Sequence, residues 1–199
     1  MADLFDRLSR AYAQGHARAI PDLLSDARFA DGRATPAAVL IAVTDRPEPT
    51  IILTQRPRAM RDHPGQVAFP GGKIDPGETE VEAALREADE ELALPAHEVR
   101  VIGASDPYQT GTGFHVTPVL GVVPPDLPLT PSPAEVEAWF EAPLDLVLEP
   151  SSWTQNEVHW RGAARRYFEM DFQGFRIWGV TAAIILNLAR RIDVSALGD

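Results

Sequence analysis

The sequence predicts an α/β fold, a mixed β-sheet flanked by helices, and three observations carry that prediction. Two strand-like runs, Ala37 to Val43 and Thr50 to Arg56, flank the turn-rich DRPEP and read as an antiparallel hairpin. A glutamate-rich segment, Thr79 to Leu92, carries apolar residues at helical spacing, and so does Thr181 to Ile192 near the C-terminus. Elements of both kinds in this order bury their apolar faces by stacking in layers. The organisation expected is a helical arm over residues 1–35 packed on one domain over residues 36–193.

In chain order, Leu4, Leu8 and Ala11 or Tyr12 fall on one side of an N-terminal helix, and Pro21 interrupts the pattern. This reads as a docked peripheral arm without chemistry. After the hairpin, QVAFPGG is a further strand, and Pro70, Gly71 and Gly72 permit a close backbone approach through which a carbonyl can reach a metal. VRVIGASDPY, FHVTPVLGVV and EVEAWFEAPL read as strands, with the Pro-rich PPDLPLTPSP an exposed loop between the last two. RRYFEMDF and FRIWGV form another strand pair, and Ile184, Ile185, Leu188 and Ile192 mark the core face of the last helix.

The 199 residues suffice for one domain with a sizeable core, and 45% hydrophobic with 24% charged residues is ordinary for a globular protein. A formal charge of −11 argues against a broad nucleic-acid or anionic-membrane surface, while leaving room for a small anionic substrate at a local basic patch. With no cysteine, disulfide and thiol chemistry are excluded. Neither a long apolar run nor a secretory signal pattern is present, so a cytoplasmic protein is expected.

The chemistry concentrates between Gly72 and Leu94. Between Asp75 and Glu91 stand eight acidic residues and one basic residue, Arg86. In a helix, Glu87, Glu90 and Glu91 lie at i, i+3 and i+4 and converge on one face, while Val81, Leu85, Ala88 and Leu92 form an apolar stripe on another. Such crowding of like charge destabilises a helix unless a counter-charge arrives, and hard divalent cations prefer carboxylate oxygens shared with phosphate and water. A solvated acidic face is the plain alternative.

Gly72, Glu78, Arg86, Glu87, Ala88, Glu90, Glu91 and Leu94 fall on the motif of the Nudix hydrolases, which this stretch resembles. The departure is Ala93, where that family has a glycine ending the helix in a left-handed turn; a different or a strained exit is expected there. The resemblance implies a Nudix-type α/β/α sandwich with a mixed sheet, metal ligation by Glu87, Glu90, Glu91 and Gly72, and catalytic roles for Arg86, Glu87, Glu90 and Glu91. In it Arg86 orients the glutamates and Glu78 braces the loop or adds an outer ligand.

The preceding stretch, with Leu53, Thr54, Arg56, Arg61, Gly65, Phe69, Pro70, Gly71 and Gly72, resembles the coenzyme A pyrophosphatase subfamily, although Pro57 replaces its small residue. That resemblance implies Mg2+- or Mn2+-dependent hydrolysis of coenzyme A, and of its acyl derivatives, to adenosine 3′,5′-bisphosphate and 4′-phosphopantetheine. Ions held by the glutamates neutralise the diphosphate and acidify a water for in-line attack. Arg56 and Arg61 would bind substrate, since an arginine fork suits phosphate oxygens. The general base stays open between a helix carboxylate and Glu135, Glu137 or Glu141, and His63 and His115 carry weaker signals. Neither nucleic acid nor membrane is an expected partner, and a homodimer stays open. Two alternatives remain: a Nudix hydrolase of ADP-ribose or a dinucleotide, and a nucleotide sensor without turnover.

Overall fold

The computed structural model describes residues 3–30, 32, 34–60 and 63–193. Among these residues eleven strands and four α-helices follow one another as α1 (Leu4–His16), β1 (Thr35–Thr44), β2 (Thr50–Gln55), β3 (Val67–Ala68), β4 (Gly71–Lys73) and α2 (Glu80–Leu92), then β5 (Arg100–Ala104), β6 (Tyr108–Gln109), β7 (Phe114–Val123) and β8 (Ala138–Pro143). The chain continues through α3 (Leu144–Leu148), β9 (Thr154–Trp160), β10 (Ala163–Phe172), β11 (Phe175–Trp178) and α4 (Gly179–Ala189).

The main sheet runs β3-β2-β1-β7-β5, with β4, β6 and β8 paired onto β1, β7 and β2. It is mixed because β1 lies parallel to β7 along its whole length, from Thr35↔Phe114 to Thr44↔Val123, and antiparallel to both β2 and β4. Both faces of β1 are covered, so its residues are apolar without alternation. Ala38, Leu40 and Ala42 join Ala83, Ala84, Ala88 and Leu92 of α2 on one side. Ala37, Ile41 and Val43 join Leu4 and Leu8 of α1 and Ile184, Ile185 and Leu188 of α4 on the other. This is an α/β/α sandwich, and no described helix is long and apolar enough to cross a membrane.

Several local expectations shift. The buried line of α2 is Ala83, Ala84, Ala88, Glu91 and Leu92, while Val81 and Leu85 are only half-buried. Alanines opposite Ala38 and Ala42 let the helix sit close to the sheet, and the longer side chains flank the contact. A second sheet, β11-β10-β9, includes β9, whose polar sequence gave no strand signal; it pairs with β10 from Ala163↔Trp160 to Glu169↔Thr154.

Helix α2 ends in the left-handed turn that glycine usually supplies. Ala93 has φ 53° and ψ 38°; its N–H donates to the Asp89 carbonyl at 2.8 Å, and the Leu94 N–H to the Ala88 carbonyl at 3.3 Å. The bond from Ala93 to Asp89 is the 5→1 closure of an αL cap, made with a Cβ in the left-handed region at a cost of about 1 kcal/mol. Ala93→Gly is expected to raise the melting temperature by roughly 2–4 °C with catalysis unchanged, read by thermal unfolding. A lower melting temperature would contradict the strained exit.

Candidate active site

The phase of α2 is fixed at its first turn. The Thr79 hydroxyl accepts from the Glu82 N–H at 3.2 Å, and the Glu82 carboxylate accepts from the Thr79 N–H at 2.8 Å, a reciprocal capping box. From that start Glu87 and Glu91 fall one turn apart on the side facing β4. There Gly72 admits Glu87, since a Cβ on Gly72 would overlap the Glu87 carboxylate. Gly71 is equally constrained, because a Cβ would strike the Ala38 carbonyl, and its own N–H donates to the Glu91 carboxylate.

A third carboxylate arrives from the Pro-rich loop before β8. The Thr130 N–H donates to the Leu92 carbonyl and the Ser132 N–H to the Glu91 carbonyl, both at 2.8 Å, tying the loop to the end of α2. The Val136 N–H closes a turn on the Ser132 carbonyl at 2.8 Å, and Val136 is buried in the core beneath α2. As a result Glu87, Glu91 and Glu135 bring one carboxylate oxygen each within 4.8 Å of one another.

Arg86 fastens the outer side of this cluster. Its Nε donates to Glu78 Oε1 at 2.7 Å and its Nη2 to Glu78 Oε2 at 3.0 Å and to the Lys73 carbonyl at 3.0 Å. Nη1 reaches Glu87 Oε1 at 2.9 Å and Glu90 Oε2 at 3.2 Å. The guanidinium therefore spends its donors on loop and helix, and the pairing with Glu78 holds it firmly protonated. The same pairing holds the Glu78 carboxyl below the usual range.

The cluster it fastens is short of positive charge. Burial raises the Glu87 carboxyl, against the pull of Arg86. Glu91 is 4% exposed, and burial, reinforced by Glu87 and Glu135, pushes its carboxyl up to about 8 against the Gly71 N–H and Arg56. An all-carboxylate donor set, desolvated and under-neutralised, fits a hard divalent cation.

The sequence-expected residues separate accordingly. Glu87 and Glu91 share the cluster with Glu135, whereas Glu90, its side chain 55% exposed, stands at the border of the cluster, accepting with Glu87 from Arg86 Nη1. Arg56 lies within electrostatic reach of Glu91, and its Nε is buried without a hydrogen-bond partner among the described residues. Its backbone N–H still pairs with the Gln66 carbonyl at 2.9 Å, so Pro57 does not divert the strand at that point. Arg61 lies outside the described residues. Glu141 is bound by Arg46, and Glu137 accepts from the Arg58 N–H; neither joins the cluster. His115 meets Gln109 at 3.3 Å on an exposed strand end. The 124–133 loop is largely exposed, as its composition predicts, but Leu127 and Leu129 are half-buried and pack under α2, which docks it.

Comparison with known proteins agrees with this geometry. The family model for the NUDIX domain matches residues 34–162. The chain is 46% identical over 159 residues to the uncharacterized Nudix hydrolase NudL of Escherichia coli O7:K1 (strain IAI39 / ExPEC), covering 79% of this chain and 83% of that one. It is 47% identical over 157 residues to the uncharacterized Nudix hydrolase NudL of Cronobacter sakazakii (strain ATCC BAA-894), covering 78% and 82%. Among solved structures it is similar to RenU, a Nudix hydrolase from M. smegmatis, with 26% identity, a TM-score of 0.50, and coverage of 57% of this chain and 73% of that one.

The raised Glu91 carboxyl gives stability a definite pH dependence. Without metal, the folded protein keeps this proton to about pH 8, while the unfolded chain releases it near 4.5. Between these values the folded state binds more protons, so its stability falls as pH rises. The metal-free melting temperature is expected to decline across this window, Glu91→Gln to flatten the decline, and Mg2+ or Mn2+ to restore stability at the alkaline end. A metal-free melting temperature that rises across the window would contradict the assignment.

Proposed function

The chain belongs to the Nudix family of hydrolases, which act on nucleoside diphosphate derivatives, and from that premise we propose that its substrate is coenzyme A, cut at the diphosphate to adenosine 3′,5′-bisphosphate and 4′-phosphopantetheine. The observation that carries the choice is Arg56. It stands in the stretch that resembles the coenzyme A pyrophosphatases, and it presents a buried, unpartnered Nε close to Glu91. A buried donor without an acceptor costs about 1–3 kcal/mol, which a phosphate oxygen would recover. Acyl derivatives keep the same diphosphate and belong to the same substrate class.

Glu87, Glu91 and Glu135 would hold the cation, Mg2+ or Mn2+, with Glu90 and the Gly72 backbone as further ligands. Bound there, the ion supplies charge neutralisation and a more acidic water. The protein's own groups do the rest. Arg86, braced by Glu78 and the Lys73 carbonyl, fixes Glu87 and Glu90 in orientation. Glu91, held by the Gly71 N–H, keeps its carboxylate on the cluster. Glu135 is exposed at the cluster's edge, where a carboxylate can take a proton from attacking water and pass it to solvent. Arg56 and Arg61 would bind phosphate oxygens of the substrate.

With Mg2+ or Mn2+, coenzyme A is expected to be cleaved with far higher kcat/KM than ADP-ribose or NADH, and the two named products should be resolved chromatographically. Release of free thiol from acetyl-coenzyme A with the diphosphate intact would sink this reading. Glu87→Gln and Glu91→Gln are expected to lower turnover by at least ~100-fold in folded protein, as loss of metal chemistry does. Arg56→Ala should lower kcat/KM for coenzyme A roughly 10- to 150-fold, the worth of a charge-assisted hydrogen bond. An equal loss with dephospho-coenzyme A assigns Arg56 to the diphosphate, a smaller one to the 3′-phosphate, and no loss with either removes it from the site.

A further inference from the structure

Strands β1 and β2 pair only at Val43↔Ile51 and Thr44↔Thr50, and then part. Beyond the parting, β2 pairs with β3 while β1 pairs with β4. A cavity of about 210 Å³ lies beside Val39 of β1 and Ala68 of β3. Its walls are chiefly the apolar side chains of Val39, Phe69, Phe114, Val116, Val180 and Ile184, and Arg56, His63 and Gln66 line it as well. The threonine hydroxyls on it are already engaged. Thr110 Oγ1 accepts from the Phe114 N–H at 2.8 Å and meets Thr112 Oγ1 at 3.1 Å, while Thr181 Oγ1 donates to the Val67 carbonyl at 2.9 Å.

Arg56 lines this cavity and lies within electrostatic reach of Glu91 in the carboxylate cluster. Val39 makes a second connection, because it packs so closely on Gly71 that a Cβ there would overlap it, and Gly71 donates to Glu91. A ligand that places a phosphate at Arg56 thus puts the next group along its chain against an apolar wall. On walls that are mostly hydrocarbon, a nucleobase or a ribose could pair its polar edges only in part, at Arg56, His63 and Gln66, and would bury the rest. A branched aliphatic group loses nothing there and gains burial.

We propose that this cavity receives the dimethyl-substituted carbon of the non-nucleotide arm, one methylene from the phosphate oxygen in coenzyme A, while the nucleoside lies outside it. The assignment rests on the coenzyme A reading and supplies its selectivity: ADP-ribose and dinucleotides carry a polyhydroxylated ribose at the corresponding place. A hydrophobic pocket discriminates against an added hydroxyl by about 100-fold.

The test uses product inhibition of coenzyme A hydrolysis in the metal-loaded enzyme. With wild-type protein, an analogue of 4′-phosphopantetheine lacking the two methyl groups should inhibit roughly 10- to 30-fold more weakly than 4′-phosphopantetheine, as burial of two methyls implies. Val180→Phe, which fills the cavity from α4, should weaken 4′-phosphopantetheine by about 10-fold or more, leaving adenosine 3′,5′-bisphosphate within about 2-fold. No dependence on the methyl groups, or a loss confined to the nucleotide product, would overturn the assignment. If Val180→Phe fails to fold, the methyl dependence of the wild type decides alone. Wild-type protein that cleaves ADP-ribose but not coenzyme A defeats the substrate reading itself, whereas one that cleaves coenzyme A without methyl dependence defeats only the cavity assignment.

Discussion

Burying the Glu91 carboxylate beside those of Glu87 and Glu135 is the constraint on which the rest of the structure depends. Three like charges within 4.8 Å, one of them almost wholly desolvated, are unfavourable in a protein unless protons or cations neutralise them. Arg86 does not neutralise them alone, because its donors are divided among Glu78, the Lys73 carbonyl, Glu87 and Glu90. What the fold provides is a rigid frame that holds the carboxylates together in spite of their repulsion. The capping box at Thr79 sets the helix phase, the alanines of α2 bring it against β1, and Gly71 and Gly72 let β4 pass within contact of the acidic side chains. Stability is given up locally so that a site exists for a cation and the phosphates it neutralises.

The same frame explains why the neighbouring recognition surface lies where it does. Pairing of β1 with β2 stops after two register positions, and the separation leaves space for β4 beside the acidic helix and for an apolar cavity on the other face of the sheet. Arg56, at the end of β2, is the group placed to act on both. Charge and hydrocarbon thus occupy adjoining compartments that a diphosphate ester can span.

Much of this was legible in the sequence, for identifiable reasons. The i, i+4 spacing of Glu87 and Glu91, the glycines before the helix and the two-sided apolar run of β1 are local patterns, and local patterns survive in one dimension. Glu135 is different. It reaches the cluster through backbone hydrogen bonds from Thr130 and Ser132 to the end of α2, a tertiary contact with no periodic signature. Helix geometry puts Glu90 on the face of Glu87 and Glu91, and its carboxylate stands beside that of Glu87, both accepting from Arg86 Nη1, though it is more exposed than either. β9 was missed because its polar, largely exposed residues become a strand only through β10. At Ala93 the sequence left two exits open, and the hydrogen bonds to Asp89 and Ala88 select the strained left-handed one.

The central claim, that Glu87, Glu91 and Glu135 form a cation site held partly protonated until the ion arrives, is tested most directly by counting protons on metal binding. Calorimetric titration of Mn2+ into metal-free protein near pH 7, repeated in buffers of different ionisation enthalpy, reads that number. Release of about one proton per site is expected, lost in Glu91→Gln, together with weakened binding in Glu135→Gln. Binding without proton release, or with full affinity retained in both variants, would contradict it.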